Sequence, residues 1–205
     1  MVKENSFSLI LIRHGRTAWN TERRYLGRTD LPLTEEGMRE LKDKWPSPPQ
    51  CRYLYASPAR RCLQTAAIIF PERELTVVND LREIDFGYFE GKTAQEMSDD
   101  PIYSDWLSSG GLAPIADGEP LDFFIERCAN SFRRVMKQLA NKPPEREANP
   151  ATDFLAAFVV HGGTIMALMS KFANPPRSYF STRLDCGEAL ICHWDGQHLI
   201  DTGIK

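Results

Sequence analysis

Three apolar runs along the chain each lead into a histidine or an arginine. Leu9-Ile10-Leu11-Ile12 stops at Arg13-His14-Gly15, Tyr53-Leu54-Tyr55-Ala56 passes through Ser57-Pro58-Ala59 to Arg60-Arg61, and Phe154 to Val160 stops at His161-Gly162. Short apolar runs bounded by polar residues predict interior strands of a parallel sheet, where both faces are buried and no alternation is needed. Helical spacing follows the second and third runs. After the second, Ser57 is the expected N-cap with Pro58 at the first helical position, and Leu63, Ala66, Ala67 and Phe70 keep a helical repeat.

The rest of the pattern fills in around these strands. Thr34 to Leu41 predicts a capped helix ending near Trp45-Pro46, and Leu75 to Asn79 predicts a strand. From Pro120 to Leu139, the residues Leu121, Phe124, Ile125, Cys128, Phe132, Val135, Met136 and Leu139 form one apolar stripe, which predicts the longest helix and assigns those side chains to the core. Lys142 to Pro150 reads as a loop, and Ala189–Trp194 with Gln197–Ile200 as a terminal hairpin turning at Asp195-Gly196. Strands alternating with helices imply a three-layer α/β/α sandwich around a mostly parallel sheet. Right-handed crossovers would then gather the strand ends carrying His14, Arg61 and His161 on one edge, where ligands of open α/β sheets bind.

Those ends share one chemistry. Arginines bind phosphate oxygens bidentately and stay charged, and Arg61, in the first turn of its helix, adds to the helix dipole in holding an anion. Arg60 is the member of the pair expected to face solvent. Gly15 removes a Cβ at the turn, which would let an anion approach the backbone. Any one of these fragments alone is an ordinary turn; two His-Gly strand ends plus an arginine turn predict a shared anion pocket.

Composition narrows the partners. A chain of 205 residues with 42% hydrophobic content suits one core, and the formal charge of −3 argues against a polyanion binder as a whole. Arg13, Arg16, Arg23, Arg24 and Arg28 nonetheless cluster against only Glu22 and Asp30, which keeps a nucleic-acid surface as a rival reading, although the aromatic and glycine pattern of an RNA-binding sheet is missing. Five cysteines with no CxxC pair argue for reduced thiols over a disulfide framework or zinc ribbon. No signal segment or membrane-spanning run is visible, so the expected location is cytoplasmic.

Over nearly its whole length the chain resembles the histidine phosphatase superfamily, which includes cofactor-dependent phosphoglycerate mutases and many small phosphomonoesterases. The resemblance rests on Leu11 to Asn20, on Gly27-Arg28-Thr29-Asp30-Leu31-Pro32-Leu33-Thr34-Glu35-Glu36-Gly37, on Arg61-Cys62-Leu63-Gln64-Thr65-Ala66, and on Leu81 to Gly91. It implies the same α/β fold with one strand antiparallel, a single domain over residues 1–205, and residues 99–120 as an insertion covering the site. Within that insertion Tyr103, Trp106 and Leu112 are the expected apolar contacts to substrate. It also implies a site made of His14, Glu83, His161, Arg13 and Arg61, with Asn20 and Gly162 among the phosphate-binding groups and Asp85 and Glu90 as structural or substrate-side residues.

The chemistry implied is hydrolysis of a small phosphate ester through a phosphohistidine on His14, with Glu83 as the acid and no metal or cofactor required. The Phe86 to Thr93 stretch is shorter than its counterpart in the mutases, which favours hydrolysis over phosphoglycerate mutase-type transfer. Among phosphatases the resemblance is greatest to bacterial α-ribazole phosphatase-like enzymes, so α-ribazole 5′-phosphate stands beside sugar, nucleoside and glycerate phosphates as a candidate. Ala116-Asp117-Gly118-Glu119-Pro120 departs from their usual sequence before the long helix. A catalytically inactive phosphate-binding module is the alternative of another class. A monomer or homodimer is expected.

Overall fold

In a computed structural model, which describes residues 7–141 and 153–205, the first apolar run forms β1 (Phe7–Arg13), with Leu9 to Ile12 wholly buried. The elements after it are α1 (Ala18–Thr21), α2 (Glu35–Lys44), β2 (Gln50–Ala56), α3 (Arg60–Ile69), β3 (Leu75–Val77), α4 (Pro101–Ser108), α5 (Leu121–Ala140), β4 (Asp153–Val160), α6 (Gly162–Phe172), β5 (Ala189–Trp194) and β6 (Leu199–Ile204). The expected loop at 142–150 and the first six residues lie outside the described residues.

The six strands form one sheet in the order β3-β2-β4-β1-β5-β6. β3, β2, β4 and β1 pair in parallel; β5 runs antiparallel to both β1 and β6, so it alone opposes the common direction. Successive side chains of a strand point to opposite faces. Leu9 and Leu11 accordingly join a core built with α5 and α6, through Phe124, Phe132, Ile165 and Leu168, while Ile10 and Ile12 join a second core with α2 and α3, through Leu41, Cys62, Ala66 and Ile69. Two apolar layers on one sheet make the three-layer sandwich.

The register places the chemistry. Ile12 of β1 and Ala56 of β2 both lie opposite Val159 of β4, so the three strands end level. His14 N–H donates to the Val160 carbonyl at 2.9 Å and Ser57 N–H to the Val159 carbonyl at 3.1 Å, which carries the ladder one residue past each strand. His14, Ser57 and His161 therefore leave the sheet at one edge.

Several local expectations change. α3 starts at Arg60 behind Ala59, which makes no side-chain cap bond, so neither Ser57 nor Pro58 occupies the predicted capping position. The Ser57 hydroxyl is taken by His161 instead. β3 is three residues long and ends before Asn79, and β6 begins at Leu199 and runs on to Ile204. Within 99–120, Asp100 accepts from the Ile102 amide and Pro101 starts α4, a helix announced by an Asp-Pro pair inside the expected insertion. The five cysteines are free thiols; Cys51, Cys62, Cys128 and Cys192 are buried and Cys186 is half-buried. Among the described residues no helix is long and apolar enough to cross a membrane.

Candidate active site

His14 is 3% exposed at the end of β1. One ring nitrogen, Nδ1, lies 2.7 Å from the Gly15 carbonyl, and since a carbonyl can only accept, that nitrogen carries the hydrogen and Nε2 keeps the lone pair. Burial, then the charges of Arg61 and Arg13, hold its pKa well below the usual histidine range, so the ring stays neutral. Gly15 itself serves packing and not anion approach: a Cβ there would lie 2.6 Å from Leu41 Cδ1, and its amide donates to Thr65 Oγ1 at 2.9 Å.

The two arginines are held by carbonyls. Arg61, 1% exposed, donates from Nη1 to Thr29 O at 2.9 Å and from Nη2 to Gly27 O at 2.8 Å, while Arg60 is exposed. Arg13 donates from Nη1 to Leu184 O at 2.5 Å, and its Nε is buried without a hydrogen-bond partner, a donor that an anion would satisfy. Gly162 packs its backbone against the same guanidinium.

His161, fully buried at the N-cap of α6, lies with its ring centroid 5.2 Å from that of His14. Arg61 Nε donates to its Nδ1 at 3.3 Å, which leaves Nε2–H to donate to Ser57 Oγ at 2.7 Å. Both nitrogens are thus engaged, and burial with the neighbouring Arg61 keeps the ring neutral. Donation from His161 to a phosphoryl group requires it to exchange one of these partners.

Glu83, 9% exposed, accepts from Gly163 N at 2.9 Å and Ile84 N at 3.0 Å. Its burial outweighs those bonds and the two arginines, so its pKa is raised above the usual glutamate range. Asn20 uses its side-chain oxygen to close a capping box on α1, accepting from Thr17 N at 3.1 Å and Thr17 Oγ1 at 2.9 Å. Its amide nitrogen stays available beside Arg13, in whose cleft Asn20 also lies.

Residues 9–199 match the model of the histidine phosphatase superfamily, branch 1. The chain belongs to this superfamily. The probable phosphoglycerate mutase GpmB of Klebsiella pneumoniae is 36% identical over 198 residues, covering 91% of this chain and 84% of that protein. The uncharacterized phosphatase PhoE of Bacillus subtilis is 27% identical over 184 residues, covering 86% and 83%. Among solved structures, phosphoserine phosphatase of Entamoeba histolytica in complex with 3-phosphoglyceric acid superposes with a TM-score of 0.77 at 25% identity, covering 97% of this chain and 96% of that one. Membership of this superfamily makes the chain an enzyme that hydrolyses or transfers phosphoryl groups of phosphate esters.

Two clefts flank this candidate site and share Glu83. One, of about 580 Å³, is lined by Gly27, Arg61, Glu83 and His161, with Arg28, Asp85, Asp117 and Glu119 further out. The other, of about 410 Å³, is lined by Arg13, Asn20, Glu83 and Gly162 together with apolar and aromatic side chains. Of the apolar residues expected to contact substrate, Trp106 lines the second cleft, whereas Tyr103 does not: it packs among Phe89, Met97 and Trp106, and its hydroxyl meets that of Tyr25 at 2.9 Å. Leu112 is 70% exposed and lines neither cleft. Tyr103 belongs to a small core that α4 and Ile115 share with Phe89 and Met97.

Glu90 proves structural. It accepts from the amides of Gly27 and Arg28 at 2.8 Å each and from Thr29 Oγ1 at 2.8 Å, fixing the loop whose carbonyls hold Arg61. Asp85 accepts from Gly87 N and lines the first cleft. The arginine cluster is largely spent within the chain: Arg16 pairs with Glu40, Arg24 with Glu22 and Glu96, and Arg28 with Asp85. Sequence reasoning missed Ser57 as the partner of His161, and Tyr179 and Phe180 on the second cleft. Only the level strand ends hint at the first, and no pattern marks the others.

Proposed function

We propose that the chain is a phosphomonoester hydrolase that works through a phosphohistidine on a small phosphorylated metabolite, with α-ribazole 5′-phosphate among the candidate esters, in a cytoplasmic setting and as a single domain. The observation that carries this reading is the neutral, Nδ1-anchored His14 under the influence of buried Arg61 and half-buried Arg13, with a carboxyl of raised pKa beside them.

Arg13 and Arg61 neutralise the phosphate dianion and hold phosphorus for in-line attack. The Nε2 lone pair of His14 forms a bond to phosphorus as the ester P–O bond breaks. Protonated Glu83 delivers its proton to the departing alkoxide. The resulting Glu83 carboxylate then takes a proton from water, whose oxygen attacks phosphorus and breaks the P–N bond. Phosphate leaves, and His14 and protonated Glu83 are restored. Asn20 Nδ2 and Gly162 assist in holding the phosphoryl oxygens. Among the described residues no group of three or more histidine, cysteine or acidic side chains could hold a metal ion, and the scheme routes no step through one.

The test is phosphate release from α-ribazole 5′-phosphate, phosphoglycerates, sugar phosphates and nucleotides with a chelator present, combined with acid-labile, alkali-stable phosphoryl trapping on His14. Release that disappears in His14→Ala supports the reading. Interconversion of 3- and 2-phosphoglycerate without release replaces it with the mutase reading that the similarity to GpmB favours, and neither activity leaves a binding module.

A further inference from the structure

The second cleft continues from the phosphate-binding groups, so it is where the ester's alcohol part lies if the hydrolase reading holds, and its role as an alcohol subsite rests on that reading. Away from Arg13, Asn20, Glu83 and Gly162 its wall is Phe86, Trp106, Leu121, Met166, Tyr179 and Phe180. These come from five separate stretches: the segment after Glu83, α4, the starts of α5 and α6, and the turn after α6. Tyr179 and Phe180 meet edge to face with centroids 4.8 Å apart, and Phe180 remains 37% exposed, so an aromatic face is open.

Three of the polar groups along this wall are already used. Tyr25 OH meets Tyr103 OH at 2.9 Å, Thr182 Oγ1 accepts from Arg177 at 3.4 Å, and Arg24 is held by Glu22, Glu96 and the Gly91 carbonyl. Exposed Arg183 and Asp185 also line the cleft and have opposite charges. A polyhydroxylated alcohol placed here would find partners for its hydroxyls at those two exposed charges and not along the apolar wall, where a planar apolar group would gain ring contacts and lose little. The first cleft presents Asp85, Asp117 and Glu119 and offers no such wall.

We propose that the preferred substrate carries its phosphate on an alcohol with a bulky, planar apolar group, which stacks in this cleft against Phe180 and Trp106. Specificity then resides in the turn after α6 as well as in the insertion.

Benzyl, ethyl and glycerol 1-phosphates test this, because all three leave as primary alkoxides and differ little in leaving-group basicity. The benzyl ester is expected to exceed the other two in kcat/KM by roughly tenfold or more, the scale of one buried apolar group. Phe180→Ala should collapse that ratio, and Leu112→Ser, outside both clefts, should preserve it. Calorimetric binding of benzylphosphonate against ethylphosphonate reads the cleft without turnover and should show the same preference. Equal kcat/KM for the three esters with equal phosphonate affinities would overturn the inference and leave the hydrolase reading standing. A benzylphosphonate preference with no ester hydrolysed would instead overturn the hydrolase reading and keep the cleft.

Discussion

Glu83 occupies the space that a side chain on residue 163 would need: a Cβ built on Gly163 would lie 2.2 Å from Glu83 Oε1, while the Gly163 amide donates to the other carboxylate oxygen at 2.9 Å. The first turn of α6 thus both admits and orients this carboxyl.

Gly163→Ala should therefore displace the carboxyl while leaving the arginines in place. We expect kcat to fall by about 10²-fold, within the range lost with a general acid, and KM to change little. Steady-state kinetics on an alkyl ester checks this, and an unchanged kcat would remove Glu83 from the protonating role.

The opposing pKa displacements set the pH profile. In the proposed mechanism His14 is neutral and Glu83 protonated at the start of a turnover. Burial and the arginines lower the first pKa, so His14 stays competent into acid, and burial raises the second, so the acid survives above the usual glutamate range. With the substrate's own titration divided out, kcat/KM should fall on the alkaline side as Glu83 loses its proton. Glu83→Gln should turn over slowly and lack that limb.

Arg61→Lys keeps a charge but replaces a fork fixed by Gly27 O and Thr29 O with a single ammonium. A loss of roughly 10²–10³-fold in kcat/KM is expected, together with weaker inhibition by inorganic phosphate. Comparable kinetics would mean the fork geometry is not used.

Ser57→Ala leaves the buried His161 Nε2–H without its acceptor at 2.7 Å. About 1–3 kcal/mol of stability should be lost in urea unfolding, and Ser57→Thr, which restores the hydroxyl, should recover most of it.

Glu90→Gln places an amide among donors from Gly27, Arg28 and Thr29. Loosening that loop should release the carbonyls that hold Arg61, so the inhibition constant for inorganic phosphate should rise along with a loss of about 1–3 kcal/mol in stability. A stability loss with unchanged phosphate inhibition would show that Arg61 is positioned without Glu90.

By itself the sequence determined the strands, the helices between them, and the residues at the strand ends. Burial on both faces imposes unbroken apolar runs, so Leu9–Ile12 and Phe154–Val160 were visible from composition alone, and the family motifs singled out Arg61 over Arg60 and Glu83 over Asp85 and Glu90. Only the tertiary structure decided how these groups act on one another. The register of β1, β2 and β4 levels their ends, which turns Ser57 from an expected helix cap into the acceptor for His161, 104 residues away in sequence. Burial, a property of the assembled layers, moves the pKa values of His14 and Glu83 in opposite directions. Likewise the turn after α6 puts Phe180 on the cleft that Trp106 lines, while Tyr103 turns inward to a small core with Phe89 and Met97. Hydrophobic periodicity reports which way a residue faces within its element, but which distant partner it meets depends on how the elements pack.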